Sequence, residues 1–180
     1  MATREILRMG HPVLRRVARP LEAAELEQDW LRELVDDMVD TLHQSGGIGL
    51  AAPQVGVSVR LAIIEISGGP TRYGEIPPMP LTVFVNPELT VLNDRLAGYW
   101  EGCLSVPGLR GYVERPQQVR VAARNLQGET FEHTLDGFLA TVFQHEFDHL
   151  DGRLYVDRLK DSRLLVFEDL LADGGPGLEE

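Results

Sequence analysis

The chain has 180 residues, of which 43% are hydrophobic, and this is enough for one globular domain with its own core. Its 28 acidic and 17 basic residues give a formal net charge of -11, which argues against stable binding to nucleic acid, because such binding needs clustered Lys and Arg. The single cysteine cannot form a disulfide within the chain, and the sequence shows no signal-peptide core and no apolar stretch that could span a membrane. We therefore expect a cytoplasmic protein without a membrane partner.

One helix is predicted first, and strands follow it. A helical stripe of apolar residues predicts a helix from Asp29 to Gln44, with Asp29 as its N-cap. Residues 67–80 are rich in Gly and Pro, and they predict a long surface loop without regular structure. Strands are predicted on both sides of this loop, at residues 59–66, 82–86, 89–92, 119–124 and 129–134, the last two as a hairpin.

The last part of the chain returns to helical patterns. Apolar residues recur with a helical period from 135 to 150 and predict a largely buried helix. Leu154-Tyr155-Val156 is expected to be a short strand, and Ser162 to Ala172 a helix, before a flexible acidic tail at about residues 173–180. The order of helix, strands and helix is typical of an α+β fold, and we expect residues 1–180 to form a single domain.

Two histidines lie four positions apart in the segment Gln144-His145-Glu146-Phe147-Asp148-His149. On a helix, four residues advance about 400°, so His145 and His149 point the same way and can bind one metal ion. Glu146 then lies beside that ion, where a carboxylate can take a proton from water and return it to a leaving group. Such a short pattern also arises by chance on surface helices, but the apolar flanks place these histidines near a buried face, where they need partners. The motif predicts a metallohydrolase.

A hydrolytic metal site usually has three protein ligands, and the residues leave three candidates for the third. Tyr155 stands where an extended metzincin pattern would place a histidine. Glu168 has about the spacing at which some zinc peptidases place a glutamate ligand, although it also fits a solvated helix carboxylate. Cys103, in Glu101-Gly102-Cys103-Leu104-Ser105, would give a softer site that favours ferrous iron or zinc, although a lone cysteine is more often an inert buried residue.

Residues 46–56 form a glycine-rich segment that reads Gly-Gly-Ile-Gly-Leu-Ala-Ala-Pro-Gln-Val-Gly. It formally matches a dinucleotide-binding pattern, but it follows a helix instead of a strand, and Pro53 prevents the helix that would bind a pyrophosphate. Glycines that let a ligand approach the backbone, followed by Gln54 as an amide donor, suit a site that stabilises an oxyanion. The alternative is a tight connection with a solvent-facing glutamine.

Three segments together resemble the three motifs of the peptide deformylase family, in the same order. They are residues 47–56, Glu101-Gly102-Cys103-Leu104-Ser105, and the run from Gln144 to Gly152. The resemblance extends from Ile6 to about Asp161. It implies a single catalytic domain of mainly antiparallel β-sheets packed around a central metal-binding helix, with an N-terminal helix and a C-terminal helix.

The resemblance also implies the roles of individual residues. Cys103, His145 and His149 would bind one divalent metal ion with water as the fourth ligand, and the ion would be Fe2+, with Zn2+ or Ni2+ as substitutes. Tyr155 and Glu168 then lose their candidacy as ligands. Glu146 would act as general base and acid, and Gln54 and the backbone N–H of Leu104 would donate to the developing oxyanion. Five residues would line the substrate or methionine pocket, namely Ile48, Gly49, Glu101, Phe138 and Val142.

The implied reaction is hydrolysis of the N-formyl group from the N-terminal formyl-methionine of newly synthesised polypeptides, with release of formate. The expected partners are therefore N-formylmethionyl nascent peptides, with transient proximity to the ribosome. The family's spacing also pairs Glu101 with Arg115 in a supporting ion pair. The alternatives are a metallopeptidase that cleaves internal peptide bonds, supported only by the two-histidine motif, and a catalytically silent binding module that has kept the fold.

Overall fold

Helix α1 begins at Asp29 and ends at Ser45, as its apolar stripe predicts. The structure is a computed structural model that describes residues 2–71 and 74–172. Gln28 occupies the N-cap position, so the predicted Asp29 cap is wrong; Asp29 is the first helical residue, and its charge lies at the positive end of the helix dipole. The other α-helices of the described residues are α2 (Gly137–Asp148) and α3 (Glu168–Ala172).

The strands of the described residues pair into three antiparallel sheets. In chain order they are β1 (Gly49–Ala51), β2 (Leu61–Ile66), β3 (Gly69–Thr71), β4 (Gly74–Ile76), β5 (Met79–Val91), β6 (Leu96–Cys103), β7 (Val106–Pro116), β8 (Gln118–Arg124), β9 (Thr130–Asp136) and β10 (Leu165–Phe167). The largest sheet has the order β1-β2-β5-β8-β9, the second has the order β10-β7-β6, and β3 pairs with β4. The expected α+β architecture with antiparallel sheets is confirmed.

The five-stranded sheet lies between α1 and α2. Because successive strand residues point to opposite faces, β2 is buried on both sides. Leu61 and Ile63 pack with the apolar stripe of α1, whereas Ala62 and Ile64 pack with α2. On the α2 side, Phe143 meets Phe84 of β5 edge-to-face, with ring centroids 5.2 Å apart. The helix that carries the two-histidine motif is therefore anchored by a buried aromatic core.

The three-stranded sheet contacts α2 along a different side of the helix. Strands β6 and β7 form a hairpin whose pairing shifts between Glu101 and Cys103, so the end of β6 is irregular at the cysteine. A smaller apolar cluster holds this sheet, and it includes Val106, Val113, Leu154 and Tyr155. The hairpin thus brings its turn to the histidine face of α2. Within the described ranges, no helix is both long and apolar enough to cross a bilayer.

The predicted loop at 67–80 is wrong where the structure describes it. Strands β3 and β4 form a small hairpin there, and β5 already begins at Met79. The two strands predicted at 82–86 and 89–92 are one strand, because the pairing passes through a bulge between Val85 and Glu88. Asn86 adopts a left-handed φ of 47° at this bulge, and its side chain holds both backbone groups of Leu21.

Two predictions near the C-terminus are also wrong. The expected strand at 154–156 is a 3-10 helix, Tyr155–Arg158, because Asp157 accepts a hydrogen bond from the N–H of Leu154 and turns the chain. The expected helix from Ser162 to Ala172 is divided into a 3-10 turn, strand β10 and the short α3. Pairing of β10 with β7 satisfies backbone groups along three residues and outweighs the helical period. The predicted tail at 173–180 lies outside the described residues.

Candidate active site

Three potential metal ligands converge between α2 and the β6–β7 hairpin. The ligand atoms of Cys103, His145 and His149 all lie within 4.8 Å of one another, and the Cys103 Sγ is 3.4 Å from Nε2 of His149. Helix α2 ends at Asp148, but His149 keeps helical angles (φ -59°, ψ -33°), so the two histidines still share a face. In the part of the chain that the structure describes, no other group of three such side chains could hold a metal ion.

The other two candidates for the third ligand are engaged elsewhere. The hydroxyl of Tyr155 donates to the carbonyl oxygen of Leu109 at 3.2 Å, and its ring stacks on His145 with centroids 6.0 Å apart. The carboxylate of Glu168 accepts a hydrogen bond from Nε of Arg110 at 2.9 Å. Neither oxygen belongs to the convergent group, so Tyr155 supports a ligand ring and Glu168 lies in an ion pair.

The electrostatics of the three ligands suit a divalent cation. Burial by itself would raise the pKa of the Cys103 thiol, but the neighbouring His149 and His145 lower it well below its ordinary value. Burial would lower the pKa of His145, yet hydrogen bonds with Cys103 and Glu101 raise it well above its ordinary value. The site thus favours a Cys103 thiolate beside a protonated His145. A divalent cation would bind in place of the proton between them. One thiolate sulfur with two imidazole nitrogens is a donor set that soft or borderline divalent metals prefer.

A chain of charged groups, buried except at Arg158, fixes the orientation of His145. Oxygen Oε2 of Glu101 lies 2.8 Å from Nδ1 of His145, and because a carboxylate only accepts hydrogen bonds, Nδ1 carries the proton and Nε2 is left for a metal. Arg115 donates to both oxygens of Glu101, at 2.6 and 3.0 Å, and to Asp148 at 2.8 Å. Arg158 then donates to Asp148 at 2.6 Å. Glu101 also lines the cavity described below, so it contacts both that cavity and the ring of His145.

Glu146 lies next to Cys103, His145 and His149, which we call the ligand group. Its carboxyl group fits there because the residue opposite, Gly49, has no side chain. A Cβ atom built on Gly49 would lie 2.6 Å from both Cδ and Oε1 of Glu146, which no real contact permits. The Oε2 oxygen of Glu146 is buried and has no hydrogen-bond partner among the residues that the structure describes. Burial raises the pKa of this carboxyl above its ordinary value, although His145 and His149 oppose the shift. The glycine predicted to admit a ligand therefore also admits this carboxylate.

Gln54 is buried at 2% exposure, so the alternative of a solvent-facing glutamine is wrong. Its Oε1 accepts a hydrogen bond from the N–H of Ala51 at 2.8 Å, which leaves the NH2 group facing the other way. That group donates to the Ser105 hydroxyl at 3.2 Å and lies 3.6 Å from the Cys103 Sγ. Leu104 lies in the turn between β6 and β7, directly after the cysteine.

A cavity of about 540 Å³ opens onto these groups. It is lined by all five residues that were expected in the pocket, namely Ile48, Gly49, Glu101, Phe138 and Val142. Gln54 and Leu104 line it as well. Sequence reasoning missed Thr141, Trp100 and Arg110, which also line the cavity. The helical spacing of Phe138, Thr141 and His145 was a signal for Thr141, whereas no local pattern marks Trp100 or Arg110.

Comparisons with known proteins agree with this geometry. The family model described as Polypeptide deformylase matches residues 3–164. A peptide deformylase of Leptospira biflexa is 40% identical over 179 residues, which cover 99% of this chain and 100% of the relative. Peptide deformylase 1 of Prochlorococcus marinus is 46% identical over 175 residues, with 97% of this chain and 90% of the relative covered.

Solved structures give the same result. The Met-Ala-Ser-bound class I type b peptide deformylase from Acinetobacter baumannii has a TM-score of 0.80 and 39% identity, over 88% of this chain and 99% of that chain. The peptide deformylase from Thermotoga maritima has a TM-score of 0.76 and 34% identity, over 89% of this chain and 100% of that chain. The chain therefore belongs to the polypeptide deformylase family, a family of hydrolases that remove the N-formyl group from nascent peptides.

Proposed function

We propose that the cavity removes the formyl group from N-terminal formyl-methionine, with Cys103, His145 and His149 holding one divalent metal ion and Glu146 moving the proton. The observation that carries this proposal is the convergence of three ligand atoms within 4.8 Å beside a buried carboxylate oxygen to which no described residue donates a hydrogen bond. When bound, the ion supplies Lewis acidity, which lowers the pKa of a neighbouring water and polarises a formyl carbonyl.

Glu146 acts as base and then as acid. Its unpartnered Oε2 accepts a proton from the water whose oxygen adds to the formyl carbon. Because burial raises its pKa, Glu146 can hold this proton and then deliver it to the peptide nitrogen. The C–N bond breaks as the nitrogen is protonated, and the products are formate and a free amine. The carboxyl group ends in the state in which it began.

Two donors stabilise the negative charge that develops on the formyl oxygen. The NH2 group of Gln54 is fixed toward the ligand group because its oxygen is held by the N–H of Ala51. The backbone N–H of Leu104, which directly follows Cys103, is the second donor. Donors fixed before the reaction need no rearrangement as charge develops, and removing one such donor typically costs a factor of about 10² to 10³ in rate.

The substrate side chain lies along the apolar wall of the cavity. Phe138 and Val142 stand one helical turn apart on α2, and Ile48, directly before β1, also lines the cavity. An unbranched apolar side chain such as methionine suits this wall, and a formyl carbon carries only hydrogen, so a tight site excludes larger acyl groups by size. The Met-Ala-Ser peptide bound to the Acinetobacter baumannii relative supports this substrate class.

The matched test uses formyl-Met-Ala-Ser and unformylated Met-Ala-Ser. We expect release of one formate from the first peptide, no cleavage of its peptide bonds, and no reaction of the second. Cleavage of the unformylated peptide would support the metallopeptidase alternative instead. Protein that binds no metal and releases no formate would support the silent binding module.

We propose ferrous iron as the native ion, with zinc or nickel as substitutes, because the thiolate and two imidazoles suit these metals. We also propose that the protein works in the reducing cytoplasm, where the Cys103 thiolate is protected, and that it meets nascent chains near the ribosome only transiently. The net charge of -11 supports the absence of stable RNA binding. Metal analysis after anaerobic purification and co-sedimentation with ribosomes test these points; a stoichiometric metal other than these three, or stable co-sedimentation, would contradict them.

A further inference from the structure

Two charged side chains line the cavity beside the ligand group without belonging to it. Arg110 of β7 donates through Nε to Oε1 of Glu168 at 2.9 Å, and its Nη2 donates to the same oxygen. Both residues line the cavity, and their side chains are 36% and 53% exposed. A bound peptide can therefore reach both charges.

Arg110 lies beside the residue that precedes Cys103. A Cβ atom built on Gly102 would lie 2.3 Å from Nη1 and 2.5 Å from Cζ of Arg110, so the guanidinium group covers the backbone of the residue before Cys103. An extended peptide advances roughly 3.3 Å per residue, so the third residue of a bound substrate lies roughly 6.6 Å beyond the first. A third side chain on the Gly102 side of the ligand group would lie within reach of the guanidinium group.

The position of Glu168 is fixed by the strand that precedes it. Strand β10 pairs with β7 in register, with Val166 opposite Arg110 and Phe167 opposite Leu109. Glu168 follows directly and is the first residue of α3. The C-terminal segment, which lies beyond the three sequence motifs, thus contributes Glu168 to the lining of the cavity and one half of the ion pair.

The paired charges set opposite preferences for a substrate. An acidic peptide side chain is attracted by Arg110 but competes there with Glu168, whereas a basic side chain is repelled by Arg110. With Glu168 in place, its charge offsets much of this discrimination. Removing the charge of Glu168 leaves Arg110 without its partner and increases the preference for an acidic residue.

We propose that Arg110 and Glu168 determine the charge preference of the enzyme at the third residue of formylated peptides. Arg110 attracts acidic side chains, and Glu168 moderates that attraction. The inference rests on the proposed function, because it concerns peptides that the same cavity deformylates.

The test compares kcat/KM for three peptides, formyl-Met-Ala-Asp, formyl-Met-Ala-Asn and formyl-Met-Ala-Lys, each with an amidated C-terminus so that only the third side chain differs in charge. Glu168→Gln should raise the ratio of the Asp to the Lys peptide about threefold, the size expected for an exposed ion pair. Arg110→Gln should lower the same ratio. The Asn peptide normalises each variant, so a general loss of activity or folding cancels.

Glu114→Gln is the matched control. Glu114 lies on the same strand as Arg110, pairs with Lys160 and does not line the cavity, so this change removes the same charge and one ion pair at another site. Glu114→Gln should leave the ratio of kcat/KM for the Asp and Lys peptides unchanged. At high salt, the differences between Glu168→Gln and the native protein should shrink, because exposed charges are screened.

Equal Asp-to-Lys ratios in Glu168→Gln and Glu114→Gln would overturn the inference, and so would a shift of the same sign in Glu168→Gln and Arg110→Gln. These results are distinct from failure of the proposed function. Formate release with an invariant ratio contradicts only the role of the ion pair, whereas no formate release from any of the peptides contradicts the proposed function itself.

Discussion

The five-stranded and three-stranded sheets differ in what packs against them. The first meets both helices through apolar side chains, such as Phe84 against Phe143, and it contributes Gly49 and the turn that carries Gln54 to the cavity. The second carries Cys103, Glu101 and a buried set of ion pairs. Helix α2 joins the two. Apolar packing and the candidate chemistry are therefore concentrated on different sides of α2, and this separation can be tested.

The largest expected effect comes from Glu146→Gln on the chemical side of α2. The amide keeps the shape of the carboxyl group but cannot accept the proton, so kcat should fall by about 10²- to 10⁴-fold. Thermal unfolding and metal content should change little. Glu132→Gln, an exposed change on β9, is the control and should retain full activity. Near-normal kcat in Glu146→Gln would remove its role in proton transfer.

Cys103→Ala tests the ligand group itself. Two imidazoles alone should hold a divalent ion far less tightly than the full set, so we expect the purified protein to lose most of its metal. Metal analysis of protein prepared without oxygen measures this loss. Ser105→Ala, two positions further along the chain, is the control because Ser105 contacts Gln54 and is not in the ligand group. Unchanged metal content in Cys103→Ala would require another third ligand.

Phe143→Ala tests the opposite side of α2. Phe143 is fully buried against Phe84 and Phe147, so its truncation should lower the free energy of unfolding by about 3–5 kcal/mol. Denaturant unfolding measures this change. The kcat of the folded fraction should remain near the native value, since the side chain does not line the cavity. A large loss of kcat under conditions in which the variant is folded would break the separation between the two sides.

Arg158→Gln should have the smallest effect, through the pH dependence of stability. Burial would raise the pKa of Asp148, but hydrogen bonds from Arg158 and Arg115 hold it below its ordinary value. A carboxyl with a lowered pKa stabilises the fold above its unfolded pKa, and this contribution is lost as the pH falls through the folded pKa. The variant should therefore lose about 1 kcal/mol at neutral pH and unfold at a higher pH during acid titration, measured by circular dichroism.

The control for this change is Arg163→Gln. Arg163 pairs with Asp161 at an exposed site, so the same charge is removed without affecting a buried carboxylate. It should leave the midpoint of acid unfolding near that of the native protein. Equal midpoints for Arg158→Gln and Arg163→Gln would show that Arg158 does not stabilise the buried ion pairs.

Local and long-range features of the fold differed in how well the sequence predicted them. Apolar periods predicted α1 and α2, and motif resemblance brought Cys103, His145, Glu146 and Gln54 together. These signals are local or already shared by a family. The division of the C-terminal segment into β10 and α3 was not predicted, because the pairing partner of β10 lies far away in β7.

The family resemblance implied the ion pair of Glu101 with Arg115, which the structure contains, but the other ion pairs of the site were not predicted. Arg115 and Asp148 are 33 positions apart, and Arg110 and Glu168 are 58 positions apart. Single charged residues carry no periodic signal that would indicate such partners. The roles of Asp148 and Arg158 in holding Glu101 through Arg115 therefore became visible only in the folded chain.

The smallest possible substitution at position 49, glycine to alanine, should inactivate the proposed proton transfer by Glu146. The space that the missing side chain of Gly49 leaves is the space that the carboxyl group of Glu146 occupies. A single methyl group at position 49 would therefore displace that carboxyl group from the place where it transfers the proton. Either the strand or the carboxylate would have to move to make room for the methyl group. We therefore expect this position to tolerate little substitution, even though Gly49 itself takes no part in proton transfer.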